Sequence, residues 1–146
     1  MTKQKVYLDI CCFNRPYDNQ TQDIIMLETT AKLIIQNLIL NKEIDLIWSY
    51  VLSYENSKSV HTLKRNAIAN WQKLSAEYVG QSEEIELMAE NIEKTGIKAY
   101  DALHVACAIS ANSDYFITVD KRLLKYKDER IVLCNPMQYI SLYGGE

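Results

Sequence analysis

Apolar residues along this chain switch between two spacings, and the switching predicts an architecture. Lys5 to Asp9 (KVYLD) is a short β-branched and aromatic run, the pattern of a buried strand, and it ends at an aspartate. Asn14 to Asp18 reads as a loop broken by Pro16. From Thr21 to near Asn41 the residues Ile24, Leu27, Ala31, Ile34, Ile35 and Leu38 recur at three and four, which predicts an amphipathic helix with that stripe in the core. Asp45 to Ser49 is a second strand, followed by a short helix over Val51 to Ser57 that contains Glu55. A longer helix is predicted from Val60 to about Glu77, with Leu63, Ala67, Trp71 and Leu74 on one face.

Ser82 then reads as an N-cap, Glu83 and Glu84 complement the helix dipole in the first turn, and Gly96 lies just past the helix that runs towards Lys94. Ala99 to Asn112 is an Ala-rich helix, apolar on most sides and therefore buried. Tyr115 to Val119 and Arg130 to Cys134 are two more strands, and Pro136 opens a last helix through about Leu142. Near-continuous apolar strands separated by helices predict an α/β protein: a central parallel sheet with helices on both faces. Its 146 residues fit one domain, 1–146.

Composition narrows the class. Apolar residues make up 48% and charged residues 24%, with four Gly and two Pro, which excludes disordered, collagen-like and disulfide-scaffold chains. The most apolar stretch, Ile34 to Leu40, is interrupted by Gln36 and Asn37 and falls far short of the roughly 20 residues that span a bilayer. The N-terminus lacks a secretory h-region, which predicts a cytoplasmic address. Cys11, Cys12, Cys107 and Cys134 show neither a CxxC pair nor zinc-ligand spacing and read as reduced thiols.

The net charge is −3, so the whole chain is no basic module. The charges are segregated, however. Lys58 to Lys73 carries four cations (Lys58, Lys64, Arg65, Lys73) and no acid, Glu77 to Glu93 carries six acids and no cation, and Lys121 to Arg130 carries five cations against Asp128 and Glu129. That distribution permits a local nucleic-acid surface on an acidic protein.

The candidate chemistry lies in four acids. In open parallel sheets ligands gather at the carboxyl ends of strands, where Asp9 and Asp120 both fall. Asp101 is in the first turn of the Ala-rich helix, and Glu55 follows the second strand. Four acids in one place need a compensating cation, and a hard divalent ion with oxygen ligands, Mg2+ or Mn2+, can both neutralise them and activate water against a phosphodiester. Asp114, at the opposite end of the strand that Asp120 closes, reads as a cap, and Glu28 as a solvent-facing charge. His104, three residues after Asp101, reads by default as a packed core histidine, and His61 as a surface residue. Arg15 and Lys98 are the cations placed nearest a bound phosphate.

The segments YLDICCFNRPYD, SYE and KAYDALHVACAISANSDYFITVDKRLL resemble the PIN domain, most closely the VapC-type toxins. The resemblance spans nearly the whole chain and implies a three-layer α/β/α sandwich and a Mg2+- or Mn2+-dependent ribonuclease. It maps the catalytic acids to Asp9, Glu55, Asp101 and Asp120, with Asp9, Asp101 and Asp120 as metal ligands, at intervals of 46 (9 to 55), 46 (55 to 101) and 19 (101 to 120). Thr118 corresponds to the family's hydroxyl residue near the metal. The family commonly carries a hydroxyl or amide residue two positions after the first acid; here that position is Cys11, and Asn14 is the nearby residue able to replace its contact. The resemblance further implies an RNA substrate, a small antitoxin protein as partner, and a homodimer. A catalytically idle scaffold that binds RNA or protein is the alternative, which Cys11 favours and the presence of all four acids opposes. Phosphotransfer at Asp9 is disfavoured, because position 11 lacks the second Asp of a haloacid-dehalogenase-like site and no acidic pair precedes Asp9 as in a receiver domain.

Overall fold

In a computed structural model, which describes residues 3–144, the strands β1 (Lys5–Leu8), β2 (Asp45–Ser49), β3 (Glu77–Val79), β4 (Tyr115–Ile117) and β5 (Val132–Cys134) form one parallel sheet. Their order is β3-β2-β1-β4-β5. The chain therefore runs outward from β1 to β3, crosses back over the sheet, and continues on the other side of β1. β1 lies at the centre, and Val6, Tyr7 and Leu8 are buried on both faces, as a central parallel strand requires.

The helices follow from the crossovers. α1 (Ile10–Asn14), α2 (Asp23–Leu40), α3 (Tyr50–Ser57) and α4 (Thr62–Ala69) belong to the outward run. α5 (Glu83–Glu93) and α6 (Ala99–Ser110) form the return, and α7 (Pro136–Gly144) closes the chain. Right-handed crossovers in opposite directions place α2 and the α5–α6 pair on opposite faces. α7 packs on α2 and α5 on α6, completing the three layers. Small residues let α6 approach the sheet: Ala102, Val105, Ala106, Cys107 and Ala108 are all fully buried. Gly96, just past α5, adopts φ +105°, a left-handed conformation that favours glycine. The Ser82 side chain accepts from Ile85 N as the α5 cap. Among the described residues no helix is long and apolar enough to cross a membrane. No disulfide links the four cysteines.

Several expectations are corrected. Asn14 to Asp18 is not an irregular loop: Asn14 ends α1, a 3-10 turn follows over Arg15–Tyr17, and Asp18 caps that turn. Asp9 caps α1 through Oδ1, which accepts from Ile10 N at 2.8 Å, and Pro16 sits at the start of the turn, where its missing N–H is not needed. The long helix predicted over Val60 to Glu77 is instead α4, a 3-10 turn (Asn70–Leu74) and the edge strand β3. Its apolar stripe is not a core face, since Leu63 is 87% exposed. β3 escapes periodicity because only Val79 of its three residues is buried.

The α2 stripe is also only partly internal. Ile35 and Ala31 are buried, but Ile24, Leu27 and Ile34 are exposed, while Glu28 and Lys32 are buried. Glu28 is thus no solvent-facing charge: its Oε1 accepts from Arg15 Nε at 2.9 Å. The Lys32 ammonium lies 5.3 Å from the centroids of both Phe13 and Trp71, a cation–π seat, and burial pushes its pKa down to about 8.

Candidate active site

The order of the sheet reverses between β1 and β4, and the carboxyl ends of those two strands define the crevice where open α/β sheets bind ligands. Asp9 follows β1 and is buried. Its backbone N–H donates to Ile117 O at 2.9 Å, which carries the β1–β4 pairing to the rim. Asp120 stands beyond the end of β4, joined to Asp9 through Thr118: the Thr118 hydroxyl donates to Asp9 Oδ2 at 2.8 Å and accepts from Asp120 N at 3.1 Å. Asp120 Oδ1 accepts in turn from Arg122 N and Leu123 N, at 2.9 and 3.4 Å, fixing the turn that follows. Asp114 lies at the opposite end of β4, where its Oδ2 accepts from Lys5 N at 2.8 Å as a cap.

Glu55 and Asp101 reach the same crevice from α3 and α6. Glu55 is held by His104, whose Nε2 lies 2.6 Å from Oε1 of Glu55 and 3.9 Å from Oδ1 of Asp9. The other imidazole nitrogen, Nδ1, is 2.6 Å from the Tyr7 hydroxyl, which is itself 2.6 Å from Ser49 Oγ. Ser49 accepts from Leu52 N at 3.2 Å and so starts α3. A buried polar line therefore runs from the cap of α3 through Tyr7 and His104 to Glu55, with Tyr7, Ser49 and His104 all fully buried. Burial opposes a charge on His104, but the hydrogen bond to Glu55 and the carboxylates of Asp9 and Asp101 outweigh it, and its pKa is raised. In the protonated form that these partners favour, His104 donates to both Glu55 and Tyr7.

Asp101 registers the crowding most directly. Burial, then the charges of Asp9 and Asp120, push its carboxyl up to about 6, with Glu55 adding to the effect and His104 opposing it. The four acids are thus electrostatically one group. Among the described residues no three Asp, Glu, His or Cys side chains are gathered so as to hold a metal ion as they stand; Asp9, Glu55 and Asp120 each face an internal hydrogen-bond partner. The four acids themselves nevertheless offer oxygen donors, which suit a hard divalent cation such as Mg2+ or Mn2+.

The remaining sequence-predicted residues divide. Thr118 is at the centre of the site. Asn14, the last residue of α1, has no bond to the acids among the described contacts; the contact two positions after Asp9 is made by Cys11 itself. Cys11 Sγ lies 3.4 Å from both Asp9 Oδ2 and Thr118 Oγ1, and accepts from Val119 N at 3.4 Å. Arg15 does not face a phosphate site: its guanidinium is committed to Glu28 and, at 2.6 Å, to Asp18. Lys98 is exposed at the N-cap of α6, beside Asp101 in sequence. Lys121 and Arg122, exposed directly after Asp120, open the basic stretch Lys121 to Arg130 and are further cations near the acids. Tyr7 and Ser49 were also missed. The available signal was β alternation, which puts Tyr7 on the same side of β1 as Asp9.

A model of the PIN domain matches residues 7–129. The fold is similar to that of three solved structures. They are VapBC2 from Rickettsia felis bound to a DNA fragment from their promoter (TM-score 0.56, 18% identity, covering 90% of this chain and 98% of that one), DNA-bound VapBC from Salmonella typhimurium (0.57, 16%, 91% and 98%), and VapBC-1 from nontypeable Haemophilus influenzae (0.56, 14%, 92% and 99%). No curated protein matches the sequence.

Proposed function

The chain belongs to the PIN domain family, and from that premise we propose that it is a metal-dependent ribonuclease, the toxin of a toxin–antitoxin pair, acting in the cytoplasm. The observation that carries this reading is the placement of the acids at the switch point of a parallel sheet: Thr118 bonds to both Asp9 and Asp120, His104 lies against Glu55 and Asp9, and burial with the charges of the other acids pushes the Asp101 carboxyl up to about 6.

Asp9, Asp101 and Asp120 would hold Mg2+ or Mn2+, which when bound supplies Lewis-acid activation of water and stabilisation of a leaving oxygen. The protein's own residues orient and exchange protons. Thr118 and Ile10 N fix both oxygens of Asp9, so the first acid is set before substrate arrives. Glu55 is gripped by His104 and not by the backbone, which suits it to take a proton from the attacking water while the imidazole steadies it. Water attacks phosphorus in line, the bond to the leaving ribose oxygen breaks, and no protein nucleophile is used. Lys98, Lys121 and Arg122 offer exposed positive charge to the flanking phosphates. Cys11, whose identity favours an idle scaffold, keeps its contact with Asp9, and this supports the enzyme reading. Ile24, Leu27 and Ile34, which α2 leaves in solvent, support a protein partner, an antitoxin or a second copy in a homodimer.

The test is a calorimetric titration of Mn2+ into the purified chain and into Asp9→Asn and Asp101→Asn, followed by RNA cleavage. Saturable binding lost in both variants, with cleavage lost in parallel, is the expected result. Binding indifferent to both substitutions would overturn the shared acidic site.

A further inference from the structure

Tyr54 and Tyr100 stack on each other, with ring centroids 5.9 Å and planes 25° apart, although each is about half exposed at 47% and 46%. Each is the chain neighbour of a site acid, Glu55 and Asp101. On α6, Tyr100 and His104 are four residues apart and share a face, separated by one turn, about 5.4 Å along the axis. On α3, Tyr54 immediately precedes Glu55, whose carboxylate is bonded to His104. The two helices therefore set the tyrosine pair one turn away from the His104–Glu55 contact. Lys58, which caps α3, places its ammonium 4.5 Å from the Tyr54 centroid and 5.8 Å from that of Tyr100. Tyr50, Val51 and Leu103 join the two tyrosines in lining a cleft of about 340 Å3, together with Gln81 and Glu86. Gln81 Nε2 donates to Glu86 Oε1 at 2.5 Å.

We propose that Tyr54, Tyr100 and Lys58 form a subsite for the nucleobase adjacent to the cleaved phosphodiester. This rests on the ribonuclease reading and names where its substrate is gripped. Half-exposed aromatic rings beside an acidic crevice offer a flat π face, which every base can use whatever its sequence. The Lys58 ammonium holds that face in the free protein. Its exposed four-carbon stem lets it release Tyr54 to the base and pair with a phosphate instead. The apolar cleft receives the edge of the ring, where Gln81 and Glu86 supply an amide and a carboxylate able to meet base N–H groups. Without such a platform the crevice, rich in negative charge, would have little purchase on a polyanion.

The probe is an unstructured fluorescein-labelled decaribonucleotide carrying 2-aminopurine, bound to the full chain in EDTA at low salt and followed by anisotropy and by 2-aminopurine quenching. Tyr54→Ala and Tyr100→Ala should each weaken binding about tenfold or more, the loss expected for one stacked base, and abolish the quenching. Tyr54→Trp should retain both, and Lys58→Gln should flatten the salt dependence. RNA binding that persists in both alanine variants overturns the subsite while leaving the ribonuclease reading intact. Absence of RNA binding by the wild-type chain overturns the subsite, while the separate Mn2+ titration judges the ribonuclease reading independently.

Discussion

His104 Nε2 lies 2.6 Å from Glu55 Oε1, and the same imidazole is bonded through Nδ1 to the hydroxyl of Tyr7 on the central strand. An acid of the crevice is thus tied to the most buried part of the sheet. Replacing His104 with Ala would take from Glu55 its partner, leave the Tyr7 hydroxyl with Ser49 alone and open a cavity, at a cost on the order of 3 kcal/mol. Urea denaturation should show this loss, and His104→Gln, which keeps a polar group, should recover part of it.

Asp101 predicts a pH dependence. Its carboxyl titrates at about 6 in the folded chain, against roughly 3.9 for a free aspartate, so the folded state binds this proton more tightly than the unfolded one. The stabilising effect of that proton is complete below pH ~4 and is lost as pH rises through ~6. Asp101→Asn should therefore raise Tm at pH 7.5 without added metal, by about 2–6 °C, and leave it unchanged near pH 4. Thermal melts across this range decide it; a gain of equal size at both pH values would contradict the assignment.

Thr118 joins two acids, so its hydroxyl should matter more than its volume. Thr118→Val keeps the shape but removes the donor to Asp9 and the acceptor for Asp120 N, at an expected cost of about 1–2 kcal/mol. Mn2+ affinity should fall together with stability, while Thr118→Ser should hold both near the wild-type values.

Cys11 is the only one of the four thiols that is not buried, and burial pushes the thiols of Cys107 and Cys134 up to about 12. A thiol reagent applied to the native chain should modify Cys11 first, and Mn2+ should slow the reaction because Cys11 Sγ touches Asp9. Peptide mapping after brief labelling, with and without Mn2+, provides the check.

Arg15→Ala should act on stability and not on RNA affinity. It leaves the buried Glu28 without its cation, a loss of about 3 kcal/mol. Equilibrium unfolding and RNA anisotropy measured on the same variant separate the two effects.

The parallel sheet and the strand-end acids were legible because both obey simple rules. Buried strands are continuous apolar runs, and an aspartate directly after one has nowhere to go but the rim, as Asp9 and Asp120 show. What escaped were features set by tertiary partners. Glu28 looked solvent-facing until Arg15, brought alongside by the unpredicted turn after α1, drew it inward. β3 was hidden because an edge strand with one buried residue has no period to detect. The default assignment of His104 as a buried histidine was right about its packing and silent about Glu55, since α3 and α6 meet only in the folded chain.

The bond between Thr118 and Asp9 joins residues 109 positions apart. A chain emerging from the ribosome presents Asp9 and Glu55 well before β4, which completes the crevice, and the last acid, Asp120. Truncated or stalled products therefore lack half of the acidic cluster. The four acids can therefore converge only after β4 has been made and has paired with β1.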